Sequence, residues 1–142
     1  MQTTKAATKT TTSRGQASGL TSDESRINLA KLITKLFDLW DLSTVDRLEL
    51  LGQSPSSRAN LTKYRKGAPL PNLRDLLDRT GWLLSIHKSL RLLYPYNENL
   101  RYSWVKQRNK AFDNLTPLQL MQQEGIIGMA KVSRYLDFQR GR

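Results

Sequence analysis

The chain has 142 residues, 38% of them hydrophobic and 8% aromatic, enough for one domain or two very small modules sharing a core. Its 23 Lys and Arg outnumber 12 Asp and Glu, and a formal net charge of +11 favours a polyanionic partner such as nucleic acid. With no cysteine in the sequence, disulfides, thiol chemistry and Cys-based zinc sites are excluded.

Residues 1–21 are Thr, Ser, Ala, Gly, Gln and Lys with almost nothing apolar, a composition that cannot offset the entropy of ordering. A disordered basic leader is expected there. It lacks the apolar stretch of a signal peptide, and no apolar run approaches the ~18 residues of a membrane helix, so the expected compartment is the cytoplasm.

Ser22-Asp23-Glu24 is a helix-start cluster with acid at the positive end of the helix dipole. Ile27, Ala30, Ile33, Phe37 and Trp40 then fall on one helical face and predict a first helix ending near Trp40. In a second helix Ser43 or Thr44 caps, Val45, Leu48 and Leu51 point inward, and Gly52 suits a left-handed C-cap. Ser54-Pro55 opens a third, from Ser56 to about Lys66, where proline at the first helical position costs no hydrogen bond. Its inward residues are few: Ala59, Leu61 and Tyr64. Its outward set of Ser56, Ser57, Arg58, Asn60, Lys63, Arg65 and Lys66 contains no acid.

Two short helices joined by a tight Gly-containing turn, the second polar and basic, match what a helix-turn-helix needs to enter the major groove. Ser57, Arg58 and Asn60 are the candidate base readers, since Arg pairs bidentately with guanine and Asn with adenine. Lys63, Arg65 and Lys66 are better placed for phosphates, with Ser56 at the helix start. This module spans residues 22–70.

A central helix follows over 71–94. Pro69 and Pro71 mark its start, Asn72 is a candidate N-cap, and Pro95 stops it. Leu73, Leu76, Leu77, Thr80 and Leu84 line one face, whereas Leu83, Ile86, Leu90 and Leu93 form a stripe rotated around the same helix. A spine with two neighbours is expected. Gly81 costs about 1 kcal/mol relative to Ala, or else marks a kink or a close backbone approach.

Residues 95–142 read as a small helical module. Tyr102, Trp104 and Val105 lie on a short helix, and Thr116-Pro117-Leu118-Gln119 is a capping box. A last helix from about Ile127 carries Met129, Val132 and Leu136, flanked by Tyr135 and Phe138. No segment alternates over a strand's length, so the fold class is all-α: an N-terminal helix-turn-helix, a long central helix and a small C-terminal helical module. His87, the single histidine, has no Cys or second His with which to share a metal. No Gly-rich phosphate loop or catalytic constellation is present, so neither an enzymatic role nor a cofactor is expected.

The run Arg79-Thr80-Gly81-Trp82-Leu83-Leu84-Ser85-Ile86-His87-Lys88-Ser89-Leu90-Arg91-Leu92-Leu93-Tyr94-Pro95 resembles the central helix of the Xre/MbcA/ParS-type antitoxins. The spaced Trp104, Asn109, Phe112, Pro117-Leu118, Met121, Gly128-Met129, Val132 and Tyr135-Leu136 continue the likeness, as do Leu42-Ser43 and Leu50-Leu51-Gly52-Gln53-Ser54. It covers roughly Ile27 to Phe138. Arg108, Asn114 and His87 depart from it, where proline, glycine and an aromatic residue are usual.

The resemblance implies an antitoxin of a type II toxin–antitoxin pair, a homodimer whose C-terminal module covers the active site of an NAD-consuming RES-domain toxin. Its N-terminal helices would bind operator double-stranded DNA and repress the operon. Trp104, Asn109, Tyr135, Phe138, Arg140 and Arg142 are the expected toxin contacts, and Arg140 or Arg142 suits a pocket that holds nucleotide phosphates. The alternatives are a stand-alone dimeric helix-turn-helix regulator, or an adaptor whose basic faces bind an acidic protein.

Overall fold

The computed structural model describes residues 21–141. The expected leader, apart from Thr21, and the candidate Arg142 lie outside the described residues. Among them are seven α-helices: α1 (Asp23–Leu39), α2 (Thr44–Leu50), α3 (Arg58–Arg65), α4 (Arg74–Leu93), α5 (Glu98–Ser103), α6 (Pro117–Glu124) and α7 (Ile126–Arg140). Three short 3-10 turns complete them, at Pro55–Ser57, Trp104–Lys106 and Lys110–Phe112. The described residues form no strand, the nearest thing being an isolated bridge between Asn109 and Leu115. The chain is all-α. No helix among the described residues is long and apolar enough to cross a membrane.

Local chemistry accounts for most boundaries. Ser22 caps α1 by accepting from the Ser25 amide at 3.1 Å, and Ser43 caps α2 by accepting from Asp46 at 3.1 Å. The capping box of α6 is reciprocal: Gln119 N donates to Thr116 Oγ1 at 3.0 Å, and Thr116 N donates to Gln119 Oε1 at 2.9 Å. Gly52 follows α2 at φ +72, a conformation that costs glycine little.

Four details differ from the periodicity. The cap position of α4 is Leu73, with no side-chain cap bond, rather than Asn72. Leu73 is 58% exposed, because the chain is still extended there and has not reached the buried face. Val45, at the start of α2, is 51% exposed, so Leu48, Leu50 and Leu51 make that helix's inner face. Ala59 is exposed as well, and α3 is anchored by Tyr64, its one buried residue.

One contiguous apolar core runs from Ala30 to Leu136 and draws on both ends of the chain. Helix α4 passes through it, with α1 and α7 both packed along it. Its buried residues are Leu76 and Thr80, then Leu83, Ile86, Ser89 and Leu90, the rotated stripe that a helix with two neighbours requires. Thr80 satisfies its hydroxyl by donating to Leu76 O at 2.9 Å. Gly81 makes no close approach: a Cβ built there meets nothing within 4 Å. The close approach falls at Gly128 instead, where a Cβ would lie 2.5 Å from the Leu120 carbonyl oxygen, so α6 and α7 touch backbone to backbone.

Candidate functional site

Two surfaces carry the candidate residues. The first is the outer side of α3. Tyr64 turns inward and its hydroxyl accepts from Gln53 Nε2 at 2.9 Å, which ties α3 to the turn that follows α2. Asp38 on α1 holds the other end. Arg65 donates to it through both terminal nitrogens, at 2.5 and 2.9 Å, and Arg47 on α2 adds a third bond at 2.8 Å. These bonds, that from Arg65 foremost, lower the Asp38 carboxyl from 3.8 to about 2. Asp38 in turn raises Arg65.

Three helices are thereby tied together, and most of the remaining polar residues on and beside α3 face outward. Ser56, Arg58, Lys63 and Lys66 are exposed, whereas Ser57 and Asn60 are half-buried. Arg58, Lys63 and Lys66 make no ion pair among the described residues, so their charge is available to an anion. Arg65 stands on the same helix, but Asp38 occupies its guanidinium.

The second surface lies on α7. Tyr135 is half-buried, its ring stacked on Trp104 at 6.2 Å and met edge-on by Phe112 at 5.2 Å. Trp104 and Phe112 are themselves buried. They act as a backing that fixes the Tyr135 ring. One turn further on, Phe138 is 67% exposed, and Lys131, Arg134, Tyr135 and Phe138 line a shallow hollow. Arg140 donates to Asp137 at 2.6 Å.

Asn109 sits apart from this hollow in sequence. Its side-chain oxygen accepts from Ala111 N at 2.9 Å, and its backbone pairs with Leu115 across a turn whose Asp113 and Asn114 both have positive φ. Asn109 thus shapes the loop that carries Phe112. Arg108 donates to Asn114 O at 3.1 Å, which ties the same turn.

Sequence reasoning did not single out Lys131 and Arg134 for this surface, although their spacing from Tyr135 and Phe138 places all four on adjoining helical positions. Nor did it find Gln122, whose amide donates to Asp46 at 2.7 Å and Glu49 at 2.9 Å, joining α6 to α2 across 76 and 73 residues. No local pattern carries that pair.

Residues 89–142 match the antitoxin Xre/MbcA/ParS C-terminal toxin-binding domain. The chain is also 34% identical over 128 residues to the uncharacterized protein y4oB of Sinorhizobium fredii (strain NBRC 101917 / NGR234), spanning 89% of this chain and 95% of that protein. The chain belongs to the Xre/MbcA/ParS antitoxin family. As an antitoxin it has a toxin for a partner, and family membership supports a regulatory rather than an enzymatic role. The toxin-binding segment of this antitoxin takes in the end of α4 and everything after it, including the Trp104–Phe112–Tyr135 cluster and the hollow around Phe138.

Proposed function

We propose that this antitoxin acts as a homodimer in the cytoplasm, neutralises an NAD-consuming RES-domain toxin and represses its own operon by placing α3 in the major groove of operator DNA. The observation that carries the toxin half is that the family's toxin-binding segment contains an exposed aromatic residue that shares a hollow with two cations, Arg134 and the Glu124-paired Lys131. Phe138 stands beside Lys131 and Arg134, and Arg140, paired with Asp137, ends the helix two residues later. An exposed ring beside a rigidly backed tyrosine is what an interface anchor requires. Arginine and lysine alongside it suit a site that binds nucleotide phosphates, and Arg140 or Arg142 is the residue proposed to enter it. Trp104 and Asn109 contribute by holding Tyr135 and the Phe112 loop in position.

The DNA half is supported by α3 itself. It is anchored from behind by Tyr64 and Asp38, and Arg58, Lys63 and Lys66 are exposed with no ion pair among the described residues. Ser57, Arg58 and Asn60 are assigned to base edges, and Ser56, Lys63 and Lys66 to the backbone. Arg65, expected from the sequence to join them, is held by Asp38 and reaches a phosphate only by giving up that pair.

The test is co-expression with the product of the neighbouring gene, followed by co-purification and a growth assay. Phe138→Glu places a charge in the proposed contact without disturbing the core, so growth rescue is lost while thermal stability is kept. Rescue undiminished by Phe138→Glu together with Arg134→Glu would sink the toxin interface.

A further inference from the structure

Helix α4 leaves one face uncovered along its whole length. Arg74, Asp78, Gly81, Ser85, Lys88 and Leu92 recur at alternating spacings of four and three and are all exposed, so they form a line along the helix. Leucines flank that line. Leu77 and Leu84 are half-buried beside it, and Leu32 on the adjacent α1 is 53% exposed. Grooves follow the α1–α4 seam on this side, one lined by Leu29, Leu77 and Gly81, the next by Leu32, Leu36 and Leu84. An apolar margin around a polar line is suited to another helix.

The charges say which helix. On that line an acid, Asp78, precedes the point midway between Gly81 and Ser85, and a base, Lys88, follows it at the same distance. Lys88 and Arg91 make no ion pair among the described residues, and Asp78 has only a loose contact with Arg74 at 3.9 Å.

Set antiparallel against a second copy, with the twofold axis at that midpoint, the face complements itself. Asp78 opposes Lys88 of the second copy, Gly81 opposes Ser85, and Arg74 opposes the uncharged Leu92. Each pair occurs twice, as an isologous contact demands. Other arrangements fail on charge. Parallel pairing sets Asp78 on Asp78 and Lys88 on Lys88, and moving the axis to Gly81 sets Arg74 against Lys88. The small residues at the centre allow two helix backbones to approach, and no atom lies within 4 Å of where a Gly81 Cβ would stand.

We infer that two copies of this chain associate through the exposed face of α4, in antiparallel register about the Gly81–Ser85 midpoint, with Asp78–Lys88 ion pairs crossing the twofold axis. The inference rests on the dimeric state in the proposed function and is independent of the toxin reading.

The test is sedimentation equilibrium of the full chain. Asp78→Lys alone and Lys88→Asp alone should each raise the dimer dissociation constant about tenfold or more, because each sets like charges together twice. The double variant Asp78→Lys/Lys88→Asp restores opposed charges and should return to within about threefold of the parent. Gly81→Leu, which has open space in the monomer, should keep the circular-dichroism spectrum and melting temperature while losing the dimer. A parent that stays monomeric at about 100 μM, single reversals without effect, or a double variant that fails to recover would each overturn the assignment. Growth rescue by the same variants is read alongside: its loss in a variant that still dimerises counts against the toxin reading alone.

Discussion

Asp38 offers the most direct check on how α1, α2 and α3 are held together. The carboxylate accepts from arginines on two other helices and titrates at about 2 instead of 3.8, a difference of about 1.8 units. At about 1.4 kcal/mol per unit this would correspond to roughly 2–3 kcal/mol for a pair shielded from water. The Asp38 side chain is 44% exposed, however, and water and salt screen such a pair, so about 1 kcal/mol is expected. The sign follows from linkage. A carboxyl depressed in the folded state contributes fully above its unfolded value near 3.8, and that contribution is lost as the pH falls toward about 2. Asp38→Asn keeps the size and one acceptor oxygen but removes the charge. Urea denaturation near neutral pH should show a loss of about 1 kcal/mol, and the gap to the parent should close as the pH falls from about 4 to about 2. A variant within about 0.3 kcal/mol of the parent at neutral pH, with the same acid limb, would refute the view that Asp38 sets α1, α2 and α3 together.

Glycine-to-alanine exchanges on two helices should differ in sign. Gly128→Ala drives a methyl into the Leu120 carbonyl and should destabilise by about 1–2 kcal/mol after the gain in helix propensity, whereas Gly81→Ala meets open space and should stabilise the monomer by up to about 1 kcal/mol. Equal signs in thermal melts would contradict the packing described for α6 and α7. His87 stacks on Tyr102 at 6.1 Å, and burial, then Arg91, Arg101 and Lys35, lower it from 6.5. A histidine that resists protonation when folded costs stability as the pH drops below about 6.5, so the parent should lose stability between about pH 7.5 and 5.5 and His87→Phe should lose less, as read by urea midpoints. On operator DNA, Arg58→Ala should relax sequence preference, while Lys63→Ala should weaken all sequences alike and reduce the salt slope by about one. Equal losses of specificity for both would contradict the assignment of Arg58 to base edges.

The sequence was most informative where structure is set within one helical turn. Ser22, Ser43 and Thr116 cap as their spacing requires, and Gly52 takes the left-handed conformation that ends α2. It was less informative about faces. Periodicity groups Val45 with Leu48 and Leu73 with Leu76, but the neighbouring helix decides how far the burial extends, and both outer members are exposed. It was silent on pairs that only the fold brings together. Arg65 reads as one more cation on a basic helix until Asp38, 27 residues earlier, takes it up. Gln122 reads as solvated until Asp46 and Glu49 meet it. Tyr135 and Phe138 stand out near the end of the chain in the sequence, whereas the packing of Trp104 and Phe112 against Tyr135 depends on ring geometry that only the fold supplies.

The placement of α4 also limits how this molecule can be cut and rejoined. Residues 89–142 contain α7 but leave behind Leu76, Leu83 and Ile86, which share a core with Met129, Val132 and Leu136. Excised at that boundary, α7 would turn three large apolar side chains to solvent, each worth about 1.5–3 kcal/mol when buried. A chimera that transplants the toxin-binding segment onto another protein must therefore begin upstream of Arg74 and bring the whole strut with it.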